Sequence, residues 1–184
     1  FDGPRSLGYG GYVSHMEYWK KIVDELYLQF DLSIHDSILD IGCAKGYMIE
    51  QFMNKGNQKC YGLDISKYAI NSAPFCIQEK LINASVVQIP FPSGFFDFSF
   101  CIDVLQELPT ELIPAAIREI TRVSKNSLIV VPAIKDDSDK AKKEFLSWSI
   151  TAINANTQSQ WQELFLSSRY TGSYSVFHID LDIE

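Results

Sequence analysis

The chain has 184 residues, room for one ordinary domain and too few for two full ones. Its 46% hydrophobic and 21% charged content excludes a disordered or collagenous chain, and no run nears the ~18 uninterrupted apolar residues of a membrane-crossing helix. Lys plus Arg total 16 against 23 Asp plus Glu, a net charge of −7 that argues against a domain built to grip nucleic-acid backbones.

Residues 1–13 are rich in Gly and aromatics and carry Pro4, an irregular lead-in. Over 14–30, Met16, Trp19, Ile22, Val23, Leu26 and Phe30 form a helical stripe, and Ser14 with Glu17 is a capping-box pattern. A short apolar run at 37–41 reads as a buried strand, 46–55 as a helix stopped by Gly56, 59–65 as a strand and 66–72 as a short helix. The β-branched residues of 83–89 predict a third strand closing at Pro90, and 96–104 predicts a fourth. A helix over 110–123 takes Pro114 in its opening turn, where proline is tolerated. Then come a strand at 127–131, helices over 138–154 and 157–168, and a last strand at 174–179.

Strands without polar alternation, separated by helices, predict a parallel sheet covered on both faces, hence a single doubly wound α/β domain over 1–184. Only one strand follows the fifth, so a six-stranded or truncated seven-stranded sheet is expected. In such sheets ligands bind beyond the carboxyl ends of the strands.

The cysteines Cys43, Cys60, Cys76 and Cys101 form no C-x-x-C pair, and His15, His35 and His178 lie far apart. No metal site is expected. Free thiols and the lack of a signal-peptide pattern predict a cytoplasmic setting, with Phe1 in place of Met suggesting a trimmed chain.

The strand ends carry the chemistry. Asp40-Ile-Gly-Cys-Ala-Lys-Gly46 joins strand to helix, with Gly42 freeing the turn and Gly46 letting the helix start close to a ligand. The dinucleotide fingerprint fails, because Ala44 and Tyr47 stand where it needs glycine. The second strand ends at Asp64, 24 residues beyond Asp40, where a carboxylate suits a ribose diol; a helix N-cap is its plainer reading.

Five segments together resemble the class I S-adenosylmethionine-dependent methyltransferases, especially their small type 11 domain. They are Ile38-Leu-Asp-Ile-Gly-Cys-Ala-Lys-Gly46, Tyr61-Gly-Leu-Asp-Ile-Ser66, Gln88-Ile-Pro-Phe-Pro-Ser-Gly-Phe-Phe-Asp97, Val104-Leu-Gln-Glu-Leu108 and Arg118-Glu-Ile-Thr-Arg-Val123. Their order and spacing match the family's over residues 36–132. A finer likeness, in Tyr9-Gly-Gly-Tyr12, Cys43 to Gly46, Ser66 to Ile70 and Tyr170-Thr-Gly-Ser-Tyr174, is to a bacterial subset associated with surface-glycan and sugar-modification genes.

The resemblance implies S-adenosylmethionine as cofactor, S-adenosylhomocysteine as product, and no metal. Asp40, Gly42, Cys43 and Gly46 would surround the methionine moiety, Asp64 would take the ribose, and Ile65 would flank the adenine. Cys101, Ile102 and Asp103 would border the methionine and acceptor sites. Two departures stand out. Ala44 replaces the loop's central glycine, where a methyl group is expected to cost little. Ser85 occupies the adenine-facing acid's place, leaving its hydroxyl and the Val86 N–H as contacts.

Candidate bases for the acceptor are Asp103, Glu107 and His15, each with a plainer alternative as a helix-start or surface residue. Gln106, at a place where many relatives have His, cannot act as a base, and Lys45 reads as a solvated loop charge. Trp148, Trp161, Tyr170 and Tyr174 could line an acceptor pocket or belong to the core. Strand four lacks the Asn/Asp-Pro-Pro-Tyr signature, so the expected partner is a small polar molecule, not nucleic acid or membrane. The acceptor is expected between residues 9–15, a candidate lid, and 133–161. Lys135, Lys140, Lys142 and Lys143 there could attract phosphate or form a solvated face. The alternative function is a domain that keeps the cofactor but has lost catalysis.

Overall fold

Apolar residues on both sides of the short strands leave no face for water, so the strands can be satisfied only inside a covered sheet. The computed structural model describes Asp2, residues 16–149 and residues 151–178. Met16–Gln29 (α1) leads to Ile38–Ile41 (β1), Tyr47–Asn54 (α2), Cys60–Asp64 (β2), Lys67–Asn71 (α3) and Leu81–Asn83 (β3). Phe96–Ile102 (β4), Ile113–Val123 (α4), Ser124–Ala133 (β5), Asp139–Trp148 (α5), Gln158–Ser167 (α6) and Ser173–His178 (β6) follow. The sheet order is β3-β2-β1-β4-β5-β6, and every pairing is parallel. Six strands are therefore present among the described residues, as the sequence predicts. Strand order reverses between β1 and β4, which opens a crevice at their carboxyl ends.

The period-two alternation of the strands sorts the core into two layers. Leu39, Ile41, Cys101, Ile129 and Val131 pack under α4 and α6, with Trp161 and Phe165 as the large fillers. Ile38, Cys60, Phe98, Phe100 and Leu128 face the other way, against Val23 and Leu26 of α1 and Met48, Ile49 and Phe52 of α2.

Two of the sequence segments serve this scaffold. Asp97 Oδ2 accepts from the Ser37 N–H at 2.9 Å and from its hydroxyl at 2.7 Å, tying the start of β4 to the entry of β1. On α4, Arg122 donates to the carbonyls of Phe91 and Ile89, while Glu119 accepts from the Ile89 N–H at 2.8 Å. The Arg118 to Val123 segment thus clamps the Ile89 to Phe91 turn.

Several boundaries differ from expectation. The third strand lies at Leu81–Asn83, with Gly62, Leu63 and Asp64 of β2 beside Leu81, Ile82 and Asn83. Residues 84–89 instead form a turn with Gln88 N donating to Ser85 O; Val86 and Ile89 are apolar because they are buried, not because they pair. α5 ends at Trp148 instead of 154, and a 3-10 turn, Thr110–Leu112, precedes α4. The polar start of β5 still pairs with β4, through Phe96 and Ser124. The Ser14–Glu17 cap lies outside the described residues at Ser14. At α6, Thr157 and Gln160 complete a capping box.

Trp161 is fully buried and its Nε1 donates to Pro132 O at 2.7 Å, a core role. Tyr170 shares a 2.9 Å hydrogen bond with Ser127 of β5 and donates to Ser173 O at 3.0 Å, so it joins β5 to β6. Among the described residues, the four cysteines are free and no helix is long and apolar enough to cross a membrane.

Candidate active site

The turn after β1 is shaped by its backbone. Gly42 and Cys43 both donate to Leu63 O, at 2.7 and 3.0 Å, which draws the turn over the end of β2. Gly42 has φ +83°, and an added Cβ would fall inside the Val104 side chain. Gly46 has φ +73°, and its Cβ would lie 2.9 Å from Ile77 Cδ1 and Leu81 Cδ2. Both glycines are thus required by conformation and by space. Ala44 also sits in the left-handed region, at φ +49°. Its methyl fits, but a Cβ in that conformation costs roughly 1–2 kcal/mol, more than the sequence suggests. Gly62 must be small for another reason: a Cβ there would meet Cys43 Sγ and Leu81 Cδ2 at 2.7 Å.

Asp64 lies across from this turn. Its Oδ2 accepts from Ala44 N at 2.8 Å and its Oδ1 from Ser66 N at 2.7 Å. A carboxylate accepts about four hydrogen bonds, so two places remain for a diol. Asp64 is not the cap of α3; Ser66 is, its hydroxyl accepting from Ala69 N. Asp40, buried beneath the turn, has its carboxyl raised well above the ordinary range by burial and then by the Asp64 charge. Cys43 is likewise buried, its thiol raised first by burial and then by the Asp40 and Asp64 charges. Ile65 is 75% exposed beside Asp64, an apolar surface at the cleft rim.

The loop after β4 forms the opposite wall. Asp103 takes φ +60°, and its N–H donates to Val130 O at 3.0 Å. Burial, then the Glu107 charge, raises its carboxyl to about 6 against the usual 3.8, while Gln106 Nε2, donating at 2.6 Å, pulls it back. Val104 fills the space above Gly42, so the two loops touch. Glu107 accepts from the Thr151 hydroxyl at 2.7 Å. Ile153 and Asn154 both donate to Gln106 O at 3.0 Å. The segment after α5 therefore docks on the wall that carries Asp103.

Of the residues singled out by sequence, Asp40, Gly42, Cys43, Gly46, Asp64 and Ile65 converge on β1 and β2, and Asp103 and Glu107 face them from β4. Ile102 is half-buried at the end of β4, whereas Cys101 is wholly enclosed and lies behind the wall. Ser85 and Val86 sit in the turn after β3, not at its end; Ser85 Oγ accepts from Val87 N at 3.4 Å and Val86 is buried. His15 and residues 9–12 lie outside the described residues.

Sequence reasoning missed Asn83, whose side-chain amide donates to Asp64 O at 3.0 Å and Ile65 O at 2.9 Å. Placing the third strand two residues late hid it. Lys45 is also corrected: it is 6% exposed, and its ammonium pairs with Asp2, which hydrogen-bonds Tyr68 as well. Asp2 thus bridges the β1 turn and α3.

The site's charge suits a cationic ligand. The carboxyls of Asp64, Asp103 and Glu107 lie at the strand ends and the nearby cation Lys45 is neutralised by Asp2, an arrangement that favours a positively charged ligand. No group of His, Cys, Asp and Glu able to hold a metal occurs among the described residues.

Residues 39–131 match the type 11 family model described as a methyltransferase domain. An uncharacterized protein of Methanocaldococcus jannaschii is 35% identical over 101 residues, 54% of this chain. The chain spans only 41% of that relative's length. Among solved structures, the YcgJ protein of Bacillus subtilis superposes with a TM-score of 0.64 at 19% identity, covering 84% of this chain and 68% of that one. The [4+2]-cyclase SpnF superposes at 0.64 and 19% identity, covering 89% of this chain and 62% of that one. These two likenesses bear on fold. The family match spans half the chain and includes the β1 turn, the end of β2 and the wall after β4, and by it the chain belongs to the type 11 methyltransferase-domain family.

Proposed function

We propose that the chain moves the methyl group of S-adenosylmethionine to a small polar acceptor, with Asp103 taking the acceptor's proton. The observation that carries this reading is Asp103 itself. It is a mostly buried carboxyl at the cleft wall, raised to about 6, in a turn that packs on Gly42 through Val104. A base works best with its proton affinity near the working pH.

The cofactor, when bound, supplies an activated methyl on a positively charged sulfur. The residues of this chain do the rest. Gly42 and Gly46 let the β1 turn pack closely on Val104, Ile77 and Leu81, Asp64 offers two acceptor places to the ribose, and Asp40 lies buried beneath the turn. Ile65 offers its apolar side to the adenine, with Ser85 and the Val86 backbone as secondary contacts. Asp103 orients the acceptor's hydroxyl or amine and holds the proton it gives up.

The sequence likeness supports a sugar or nucleotide-linked glycan precursor as acceptor in a cytoplasmic enzyme. Of the segment's lysines, Lys142 pairs with Asp137 at 2.8 Å and Lys140 with Glu144 at 3.7 Å, as on a solvated helix face. That favours a neutral sugar hydroxyl or an amine over a phosphate-bearing end. Labelled S-adenosylmethionine incubated with a panel of sugars, amino sugars and nucleotide sugars tests the proposal. Label should pass to at least one member and fail to pass with Asp103→Asn. A second reading, cofactor binding without methyl transfer, is favoured by one observation: a protein of this fold is a [4+2]-cyclase. Cofactor binding with no transfer to any acceptor would select it.

A further inference from the structure

Gln106 is 1% exposed in the 3-10 turn Leu105–Glu107. Its backbone already anchors the turn, because Gln106 O accepts from both Ile153 N and Asn154 N. The side chain is therefore not needed to hold the segments together. Yet it is a polar amide in a buried position, where an apolar residue of equal volume would serve packing as well. Nε2 donates to Asp103 at 2.6 Å, whereas Oε1 has no partner among the described residues and is buried. A buried amide oxygen without a donor asks for a reason.

The reason follows from the two states of its neighbour. Ionised, the Asp103 carboxylate only accepts, and Nε2 faces it. Neutral, the carboxyl carries an O–H and becomes a donor. Half a turn about the end of the Gln106 side chain then brings Oε1 to that proton, while Nε2 moves to the place Oε1 held. We infer that Gln106 is a positioning residue for Asp103, holding its carboxylate through Nε2 before proton transfer and accepting the transferred proton's hydrogen bond through Oε1 afterwards. With the cofactor bound, the acceptor heteroatom's lone pair would form the new bond to the methyl carbon as the sulfur–methyl bond breaks with its electron pair going to sulfur, and the heteroatom's proton would pass to Asp103 and stay there.

Among the described residues, the charged and titratable groups around Asp103 are few. Glu107 lies on the same turn, and the Cys101 thiol lies behind on β4 with Asp40 of β1 beyond it. β5 contributes the Val130 carbonyl, and the segment after α5 contributes Thr151, bound to Glu107. Of these, Gln106 is the group that hydrogen-bonds the Asp103 side chain.

The inference rests on Asp103 as the base, and its test does not need an acceptor. In uniformly 13C,15N-labelled protein titrated from about pH 4 to 8, the Gln106 side-chain amide protons should shift with the same midpoint as the Asp103 carboxyl carbon. In Gln106→Met, of similar volume but without a donor, the Asp103 midpoint should rise by about one pH unit. Gln106→His, which retains an N–H, should return it toward the wild-type value. Amide signals that ignore the Asp103 titration, or an unmoved midpoint in Gln106→Met, would overturn the inference. If Gln106→Met does not fold, the wild-type titration decides alone. Co-titration without methyl transfer to any acceptor would leave Gln106's role standing and remove the proposed function.

Discussion

Replacing Asp103 with Asn should stabilise the fold while removing activity. The exchange is unusually clean. Asn tolerates the left-handed φ of +60° as well as Asp does, and its oxygen can still accept from Gln106 Nε2. What it removes is a buried charge. Burial and Glu107 raise the Asp103 carboxyl to about 6 from 3.8, so the folded state holds this proton more tightly than the unfolded state does. Stability from that preference is full below the unfolded value near 4 and is lost as pH rises through about 6. A shift of roughly two units corresponds to ~3 kcal/mol, an upper figure because the group keeps some solvent contact. Asp103→Asn should thus gain about 1–3 kcal/mol in urea unfolding at pH 8 and little at pH 4. Methyl transfer should fall by about 10²–10⁴, the range for loss of a positioned base. An equal stability change at both pH values would refute the reasoning, since the gain must follow the ionisation.

Ala44→Gly relieves a left-handed Cβ at the cost of a more flexible unfolded chain, and should raise stability by about 0.5–1 kcal/mol in the same urea assay. Tyr170→Phe removes the hydroxyl that joins Ser127 to Ser173 and should cost about 1–2 kcal/mol, read as a lower thermal midpoint. Gly42→Ala drives a Cβ into Val104 and displaces the β1 turn; calorimetry should show affinity for S-adenosylhomocysteine falling by about tenfold or more.

The parallel sheet was legible because β1, β4 and β5 are apolar on both faces, and the loop chemistry was legible because Gly42, Gly46, Asp64 and Asp103 sit where strands end. The third strand was not. β-Branched residues at 84–89 are buried by a turn that Glu119 and Arg122 hold from α4, a contact 30 or more residues away that no local pattern reveals. Lys45 misled for a similar reason, since its partner Asp2 is 43 residues distant in sequence. Gln106 was visible only as a residue unable to act as a base. Its bearing on Asp103 emerged once the 3-10 turn brought the amide to 2.6 Å and buried its second polar atom.

The central claim is that the cofactor sits at the carboxyl ends of β1 and β2, with Asp64 on its ribose. Isothermal titration of S-adenosylhomocysteine into the wild-type chain and into Asp64→Asn tests it directly. Asn still offers an oxygen to the Ala44 N–H but loses the charge and half the acceptor capacity left for a diol. The wild-type chain should bind one equivalent, and the variant should bind it about tenfold or more weakly. No binding by the wild type, or equal affinity in the two proteins, would contradict the account.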